Sequence, residues 1–312
     1  MISVIIPFYN EGENIPTLIK HLIKVLKNIK DQCEIVLVDD GSTDISISNL
    51  KSQISHLRQG FGGQANLRIV SHRKRFGKGK ALQTGIDNST GEIIVFMDGD
   101  LQDDPEDLPR FLEKINQGYD FVNGVRVKRQ DNLLIKIYSN LASYFLKTFL
   151  HSPFTDVNSG FKAFRREILD EVALYGNNFR FLPLAAYYQG FRVTEISVNN
   201  QPRRFGRSKF GSSKLFGGIF DTLTAYFIYK FAEKPLHFFG PIGLSLFTVG
   251  FLISFYLTIE RLLFKALLYR RPVLFLGILL IIVGIQIVMT GIIGELIVYL
   301  NKKSNIKDQN QV

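Results

Sequence analysis

The chain has 312 residues, a net charge of +10, a pI near 9.5, and a single cysteine. This length holds one large domain or two smaller ones, and the basic balance favours an anionic partner: nucleic acid, acidic lipid headgroups or phosphorylated substrates. Cys33 alone excludes an internal disulfide framework and fits a reducing compartment, and the apolar run Ile2–Ile6 is too short for a secretory signal.

The spacing predicts short buried strands at Ile2–Ile6 and Glu34–Val38, with a helix over Ile15–Ile29 between them that carries Leu18, Leu22, Val25 and Leu26 on one face. The segment His56–Gln64 has glycines at 60, 62 and 63 and reads as an inserted surface excursion without an assigned function. Strand signals return at Asn66–Val70 and Glu92–Phe96, separated by a helix over Gly79–Ile86. Strands alternating with helices predict an α/β layered fold with a mostly parallel sheet. In such sheets ligands bind beyond the carboxyl ends of the strands. Three polar clusters fall at those ends: Pro7-Phe-Tyr-Asn-Glu11, Asp39-Asp-Gly-Ser-Thr-Asp44 and Asp98-Gly-Asp100.

Asp98 and Asp100 project from the end of a predicted strand. Two carboxylates one residue apart on a stiff support suit a hard divalent cation that shares its coordination with substrate phosphates. An Asp-rich loop that merely turns the chain is the alternative, since the pattern is short.

Further along, Leu134, Ile137, Tyr138, Leu141 and Phe145 form an amphipathic stripe that reads first as a core face. Leu215, Phe216, Ile219, Phe220, Leu223, Phe227 and Phe231, between Lys214 and Lys230, form a second that reads first as a helix in the membrane interface. The segments 238–259 and 273–294 carry no charged residue. As helices of about 22 residues each reaches roughly 33 Å, enough to cross a hydrocarbon core. They predict a two-span hairpin with both chain ends on one side, and Glu295 at headgroup depth. Basic residues flank both the outer ends and the connecting loop, so charge barely decides orientation. The expectation of a cytoplasmic catalytic part rests on the lone cysteine and the lack of an export signal. The expected organisation is a catalytic domain over 1–213, a juxtamembrane helix over 214–234, and the hairpin with a polar tail over 235–312.

The clusters, with Thr155-Asp-Val-Asn-Ser-Gly-Phe-Lys162 and Arg203-Arg-Phe-Gly-Arg-Ser-Lys209 in order behind them, resemble glycosyltransferase family 2. The match is nearest to its polyprenyl-phosphate transferases of the dolichyl-phosphate mannosyltransferase type. The resemblance covers residues 1–232. It implies a GT-A fold, a nucleotide-diphosphate sugar donor and a lipid phosphate acceptor. Carried onto this sequence, it implies that Pro7, Tyr9 and Glu11 line the base and ribose and that Asp40 contacts the nucleoside. Asp98, Asp100 and Gln102 would surround the metal and diphosphate, Arg126, Arg203 and Lys209 would contact phosphates, and Asp156 would lie near the reacting centre. Arg75 stands where many relatives carry Asn, which leaves the local loop geometry open.

Mg2+ or Mn2+ suits these oxygen ligands better than Zn2+. For Arg203 to Lys209 the alternative is a solvated basic loop or attraction to anionic lipid; for Asp156 it is a turn cap. The implied activity is single-sugar transfer to a polyprenyl phosphate at the membrane, with inversion. A family member acting on another lipid or a cell-envelope polysaccharide is the second reading, and a catalytically silent scaffold or partner subunit the third. Nucleic-acid binding explains the charge poorly, since no recognition module is present. The sugar, the nucleotide, the lipid and any self-association of the chain are left open.

Overall fold

The computed structural model describes residues 1–44, 50, 52, 65–126, 147–148, 152–172, 178–201, 213–264 and 272–309. The glycine-rich stretch at 60–63, the stripe from Leu134 to Phe145, Arg203 and Lys209 lie outside them, as do the side chains of Leu215, Phe216, Ile219 and Phe220. The chain divides into two compact units, Met1–Ala225 and Tyr226–Val312.

The first unit begins with β1 (Ile2–Phe8), α1 (Asn14–Leu26), β2 (Cys33–Asp39), β3 (Ala65–Ser71), α2 (Lys78–Asp87) and β4 (Ile93–Phe96). There follow α3 (Leu108–Asn116), β5 (Phe121–Arg126), β6 (Lys162–Arg165), α4 (Ile168–Glu171), α5 (Leu182–Tyr188), β7 (Val193–Val198) and α6 (Ser213–Phe231). The strands make one seven-stranded sheet in the order β3-β2-β1-β4-β6-β5-β7. β3, β2, β1 and β4 run parallel, β5 and β7 run parallel, and β6 runs against both its neighbours. The chain winds outward from β1 to β3 and then returns to β4 on the other side of β1. That reversal opens a crevice at the carboxyl ends of β1 and β4, where ligands of such sheets bind.

α1 buries Ile15, Leu18, Ile19, Leu22, Ile23 and Leu26, the three-and-four spacing of a helix that lays one face on a sheet. Each such side chain contributes about 1.5–3 kcal/mol through burial. The helix stops at Leu26, short of the predicted Ile29. Asn28 and Ile29 instead bond back three residues, to the Val25 and Leu26 carbonyls.

β1 runs two residues beyond the predicted Ile6 and so includes Pro7. A proline inside a central strand ordinarily forfeits a ladder bond. Here the Ile5 carbonyl, facing β4, accepts the Met97 N–H at 3.2 Å, while Phe8, facing the other way, accepts from Asp40 at 2.9 Å. By alternation Pro7 faces the β4 side, where its missing N–H coincides with the end of the pairing, β4 stopping at Phe96.

The second unit contains the end of α6, then α7 (Leu236–Phe264) and α8 (Pro272–Gln309). Within α7 and α8, Leu236–Leu263 and Pro272–Asn301 are long and apolar enough to cross a membrane. Leu244 is 61% exposed, Leu262 74% and Phe275 69%. A soluble core helix hides such residues; here they lie on open faces. The two helices pack on glycines. A Cβ on Gly250 would lie 2.5 Å from the Gly277 carbonyl oxygen, and one on Gly284 would lie 2.6 Å from that of Gly243. Such close backbone approach is how helices associate where apolar burial supplies no drive. Ser245, Thr248, Thr258 and Thr290 return their hydroxyls to carbonyls four residues back, which satisfies them without water. Glu295 Oε2 accepts the Leu236 N–H at 3.3 Å, one of the donors a helix start leaves open.

Candidate active site

Four loops meet at the crevice, one after each of β1, β2, β3 and β4. The loop after β1 is fastened to the loop after β2: Asn10 N–H donates to Ser42 Oγ at 2.9 Å, Thr43 N–H to Asn10 Oδ1 at 2.8 Å, and Gly12 N–H to Asp44 Oδ2 at 2.9 Å. Asn10 adopts φ 53°, a left-handed conformation that asparagine tolerates. Glu11 is buried and accepts from Asn14 Nδ2 at 2.6 Å, and its carbonyl receives the Asn14 and Ile15 N–H groups at the start of α1.

Asp40 organises the third loop. Its Oδ1 accepts the Phe76 N–H at 2.8 Å and lies 3.0 Å from His72 Nδ1, and its Oδ2 accepts the Gly77 N–H at 2.8 Å. This loop carries Arg75 over the Tyr9 ring, with the guanidinium carbon 4.1 Å from the centroid, and leads into Lys78 at the start of α2. The arginine that departs from the family pattern therefore covers the aromatic residue expected to meet the base.

Beyond β4 the chain turns through Asp98-Gly-Asp-Leu101, with Leu101 at φ 61°. A buried leucine in the left-handed region stores strain of about 1–3 kcal/mol, which such turns tend to carry at functional sites. Lys78 Nζ pairs with Asp98 Oδ1, and the Asp98 N–H donates to Asp103 Oδ2 at 3.1 Å. The Gln102 N–H donates to Asp100 Oδ1 at 3.2 Å, and the Gln102 carbonyl accepts from Gln201 at 2.9 Å. Asp103 pairs with Asn200 in a short antiparallel bridge, so the chain reaches Gln201 beside this turn. Burial, with help from the Asp98 and Asp100 carboxylates, pushes the Asp103 pKa up to about 7.

Pro7, Tyr9, Glu11, Asp40, Arg75, Lys78, Asp98 and Asp100 line one open pocket of about 170 Å³. Six of these are sequence-predicted site residues; Arg75 and Lys78 are additions. The donor set is chemically suited to a hard divalent cation, being all oxygen with no competing thiolate. Among the described residues no three acidic, histidine or cysteine side chains converge into a cage. A cation here would thus take one or two carboxylates from the protein and fill its shell from phosphates and water, as Mg2+ does.

A second polar group lies on the β6 side. Arg126, at the end of β5, forks onto Asp156, Nε to Oδ2 at 2.9 Å and Nη2 to Oδ1 at 3.2 Å. Two parallel charge-assisted bonds fix the carboxylate plane. The resemblance implied a phosphate contact for Arg126 and a place near the reacting centre for Asp156; in the structure the two side chains are bonded to each other. The two groups touch through Gly160. Phe96 of β4 pairs with Lys162 of β6, and extending that antiparallel register two residues sets Gly160 opposite Asp98.

Residues 3–173, more than half of the chain, match the family model described as Glycosyl transferase family 2. The chain belongs to glycosyl transferase family 2. The dodecaprenyl-phosphate galacturonate synthase of Rhizobium johnstonii is 33% identical over 300 residues, covering 95% of this chain and 87% of that protein. The undecaprenyl-phosphate 4-deoxy-4-formamido-L-arabinose transferase of Pectobacterium atrosepticum is 32% identical over 297 residues, covering 95% and 88%. Among solved structures, the glucosyl-3-phosphoglycerate synthase of Mycobacterium tuberculosis, in complex with Mn2+, UDP-glucose and phosphoglyceric acid, superposes with a TM-score of 0.56. It is 20% identical and covers 72% of this chain and 79% of its own. That likeness bears on fold, and the first unit has the GT-A fold.

In this family 2 enzyme, sequence reasoning passed over Lys78, Asn123, Lys162 and Glu195. Lys162 closed a quoted motif, and its place on an apolar strand was a signal. For Lys78 the signal was a cation between Gly77 and Gly79, ahead of the predicted helix. Asn123 and Glu195 carry none, because only the sheet order brings β5 and β7 to the Asp156 segment.

Proposed function

We propose that this glycosyltransferase moves one sugar from a nucleotide diphosphate to a polyprenyl phosphate, using a divalent cation, Mg2+ or Mn2+, and inverting the anomeric centre. The observation that carries the reading is the pocket at the sheet reversal, where an aromatic ring, buried acids, a lysine and the paired carboxylates face one space. The acceptor class draws its support from the relatives, which are named as prenyl-phosphate sugar transferases over nearly the whole chain. The two apolar helices suit an enzyme whose acceptor resides in a bilayer.

In this reading Pro7, Tyr9, Glu11 and Asp40 receive the nucleoside, while Asp98, Asp100 and Gln102 hold the cation and diphosphate. Bound there, the cation stabilises the charge that grows on the leaving diphosphate, as a Lewis acid. Lys78, and Arg203 and Lys209 from the basic segment, add fixed positive charge for the same purpose. The acceptor phosphate has a second pKa near 6 by analogy with phosphoryl side chains, so it is mostly dianionic at pH 7 and needs little help from a base. Its oxygen forms a bond to C1 as the C1–O bond to the nucleotide breaks, and the electron pair leaves with the diphosphate. Asp156, held flat by Arg126, orients the acceptor or supports the positive charge on the sugar ring. We place the catalytic unit on the cytoplasmic side, in keeping with its one reduced cysteine.

The test is incubation of membranes containing the enzyme with labelled UDP- and GDP-sugars and polyprenyl phosphate. The expected result is metal-dependent label in the lipid fraction that requires the added prenyl phosphate. Label entering a polysaccharide or a diacylglycerol instead defeats the acceptor assignment.

A further inference from the structure

Behind the Arg126–Asp156 fork lies a cation that the chemistry above leaves unused. Lys162 on β6 is 1% exposed. Its Nζ donates to Asn123 Oδ1 at 2.9 Å and to the Val157 carbonyl at 3.0 Å. An ammonium only donates, so Asn123 turns its amide oxygen toward Lys162 and its NH2 away. That NH2 meets the Asp156 carbonyl at 2.9 Å and Glu195 Oε1 at 3.0 Å. Glu195, on β7, completes the ring: Oε2 accepts the Thr155 N–H at 2.9 Å and its hydroxyl at 2.7 Å, and Oε1 accepts the Asp156 N–H at 3.4 Å. The main chain of Thr155, Asp156 and Val157 is thus held from three adjacent strands.

A buried ammonium is costly, and an apolar side chain of similar size would fill the same volume at no such cost. Among the described residues Lys162 makes no carboxylate pair that would explain its place; its bonds go to the neutral groups that set the 155–157 segment. We infer that Lys162 is a positioning residue for sugar transfer, acting through Asn123 and the Val157 carbonyl to fix where Asp156 presents its carboxylate. This rests on the reading that Asp156 serves the transfer. It extends that reading from the residues facing substrate to the one that aims them.

The inference includes a pH signature. Burial lowers the Lys162 pKa to about 7; Asp156 and Asp98 act to raise it, and Lys78 and Arg126 to lower it further. Glu195 lies beyond them, on the far end of the Asn123 amide that Lys162 holds. As pH rises through 7 the amine loses a donor and its charge, and its grip on the segment weakens. An arginine keeps its charge throughout.

The experiment uses the full chain in detergent or nanodiscs, as the parent, Lys162→Met and Lys162→Arg. It measures nucleotide-diphosphate binding with Mn2+, kcat and KM across pH, and amide exchange at 155–157. In Lys162→Met, nucleotide affinity should stay within about two-fold, kcat should fall about 100-fold, and amides 155–157 should exchange faster while those of 9–12 do not change. Lys162→Arg should recover part of the turnover and shift the alkaline fall in kcat to higher pH. Parental kcat in a folded Lys162→Met, unchanged exchange at 155–157, or nucleotide affinity falling in step with kcat overturns the inference. A parent that glycosylates no prenyl phosphate defeats the functional reading instead, and the exchange measurement still decides the role of Lys162.

Discussion

Replacing Gly160 with alanine should cripple catalysis while barely touching the fold. A Cβ built at Gly160 lies 2.5 Å from Asp98 Oδ2, 2.7 Å from Cγ and 3.0 Å from Oδ1. Ordinary contact begins at 3.4 Å, so the carboxylate has to retreat by roughly 1 Å, the scale at which misplacement costs about 100-fold in rate. Asp98 cannot move freely, since Lys78 holds its carboxylate and Asp103 its N–H. A methyl group aimed at a short side chain at the mouth of a pocket should cost only about 1 kcal/mol in stability. The assay is initial-rate sugar transfer with Mn2+ titrated at fixed donor, beside thermal unfolding of the same preparation. We expect kcat to fall about 100-fold, the Mn2+ midpoint to rise, and the melting temperature to drop by a few degrees. Parental kcat and Mn2+ dependence would refute the reasoning, because the methyl group would then be accommodated without disturbing Asp98.

Asp156→Asn should retain nucleotide binding and lose turnover by about 10²–10³-fold, as read from lipid-linked product in single-turnover assays. Glu34 links β2 to the Ser89–Gly91 turn; burial acts to raise its pKa, but bonds from Ser3, Thr90 and Gly91 outweigh it and the net shift is downward. A depressed folded pKa means its contribution is complete above the unfolded value of 4.5 and is lost as pH falls through the folded value. Urea unfolding of the parent between pH 6 and 3 should therefore show an acid loss of stability that Glu34→Gln flattens. In the second unit, Gly284→Leu should lower the thermal stability of detergent-solubilised protein by about 1–3 kcal/mol, since its Cβ meets the Gly243 carbonyl and the Phe247 nitrogen at 2.6 Å. Gly240→Ala, whose Cβ would find only Leu236 at 3.7 Å, should leave it unchanged.

The half of the site proposed for the donor was legible because its parts follow from local rules. β1, β2 and β4 announce themselves as apolar runs, parallel strands place their carboxyl ends together, and each run ends in a polar cluster. Tyr9, Glu11, Asp40, Asp98 and Asp100 therefore fall together once the sheet is parallel. The side proposed for the acceptor was legible only as a motif. Nothing in Lys162–Arg165 says that this strand runs antiparallel or inserts between β4 and β5. Without that placement Asn123 and Glu195, on strands far apart in sequence, have no reason to be near Asp156. Arg126 illustrates the limit: the resemblance implied a phosphate contact for it, while its fork onto a carboxylate thirty residues away depends on tertiary packing that no motif states.

The inserted strand also has a mechanistic consequence. Because β6 pairs with β4 in antiparallel register, the segment carrying Asp156 runs toward the β4 end at which Asp98 turns out of the sheet. Gly160 allows the two to approach closely, and Lys162, two residues on, holds the segment that leads there. A displacement of the 155–157 segment therefore bears on Asp98, and a shift of Asp98 presses on the Gly160 backbone. In the proposed reaction, bond making at the acceptor and bond breaking at the donor occur in one step, so the distance between these groups has to be set within a few tenths of an ångström. A rigid strand pair does this better than two independent loops. It follows that changes at Gly160 and Lys162 should be non-additive. In the double variant the loss in kcat should fall well short of the product of the single losses, since both act on one mechanical element. Fully multiplicative losses would show that the two residues act on separate parts of the site.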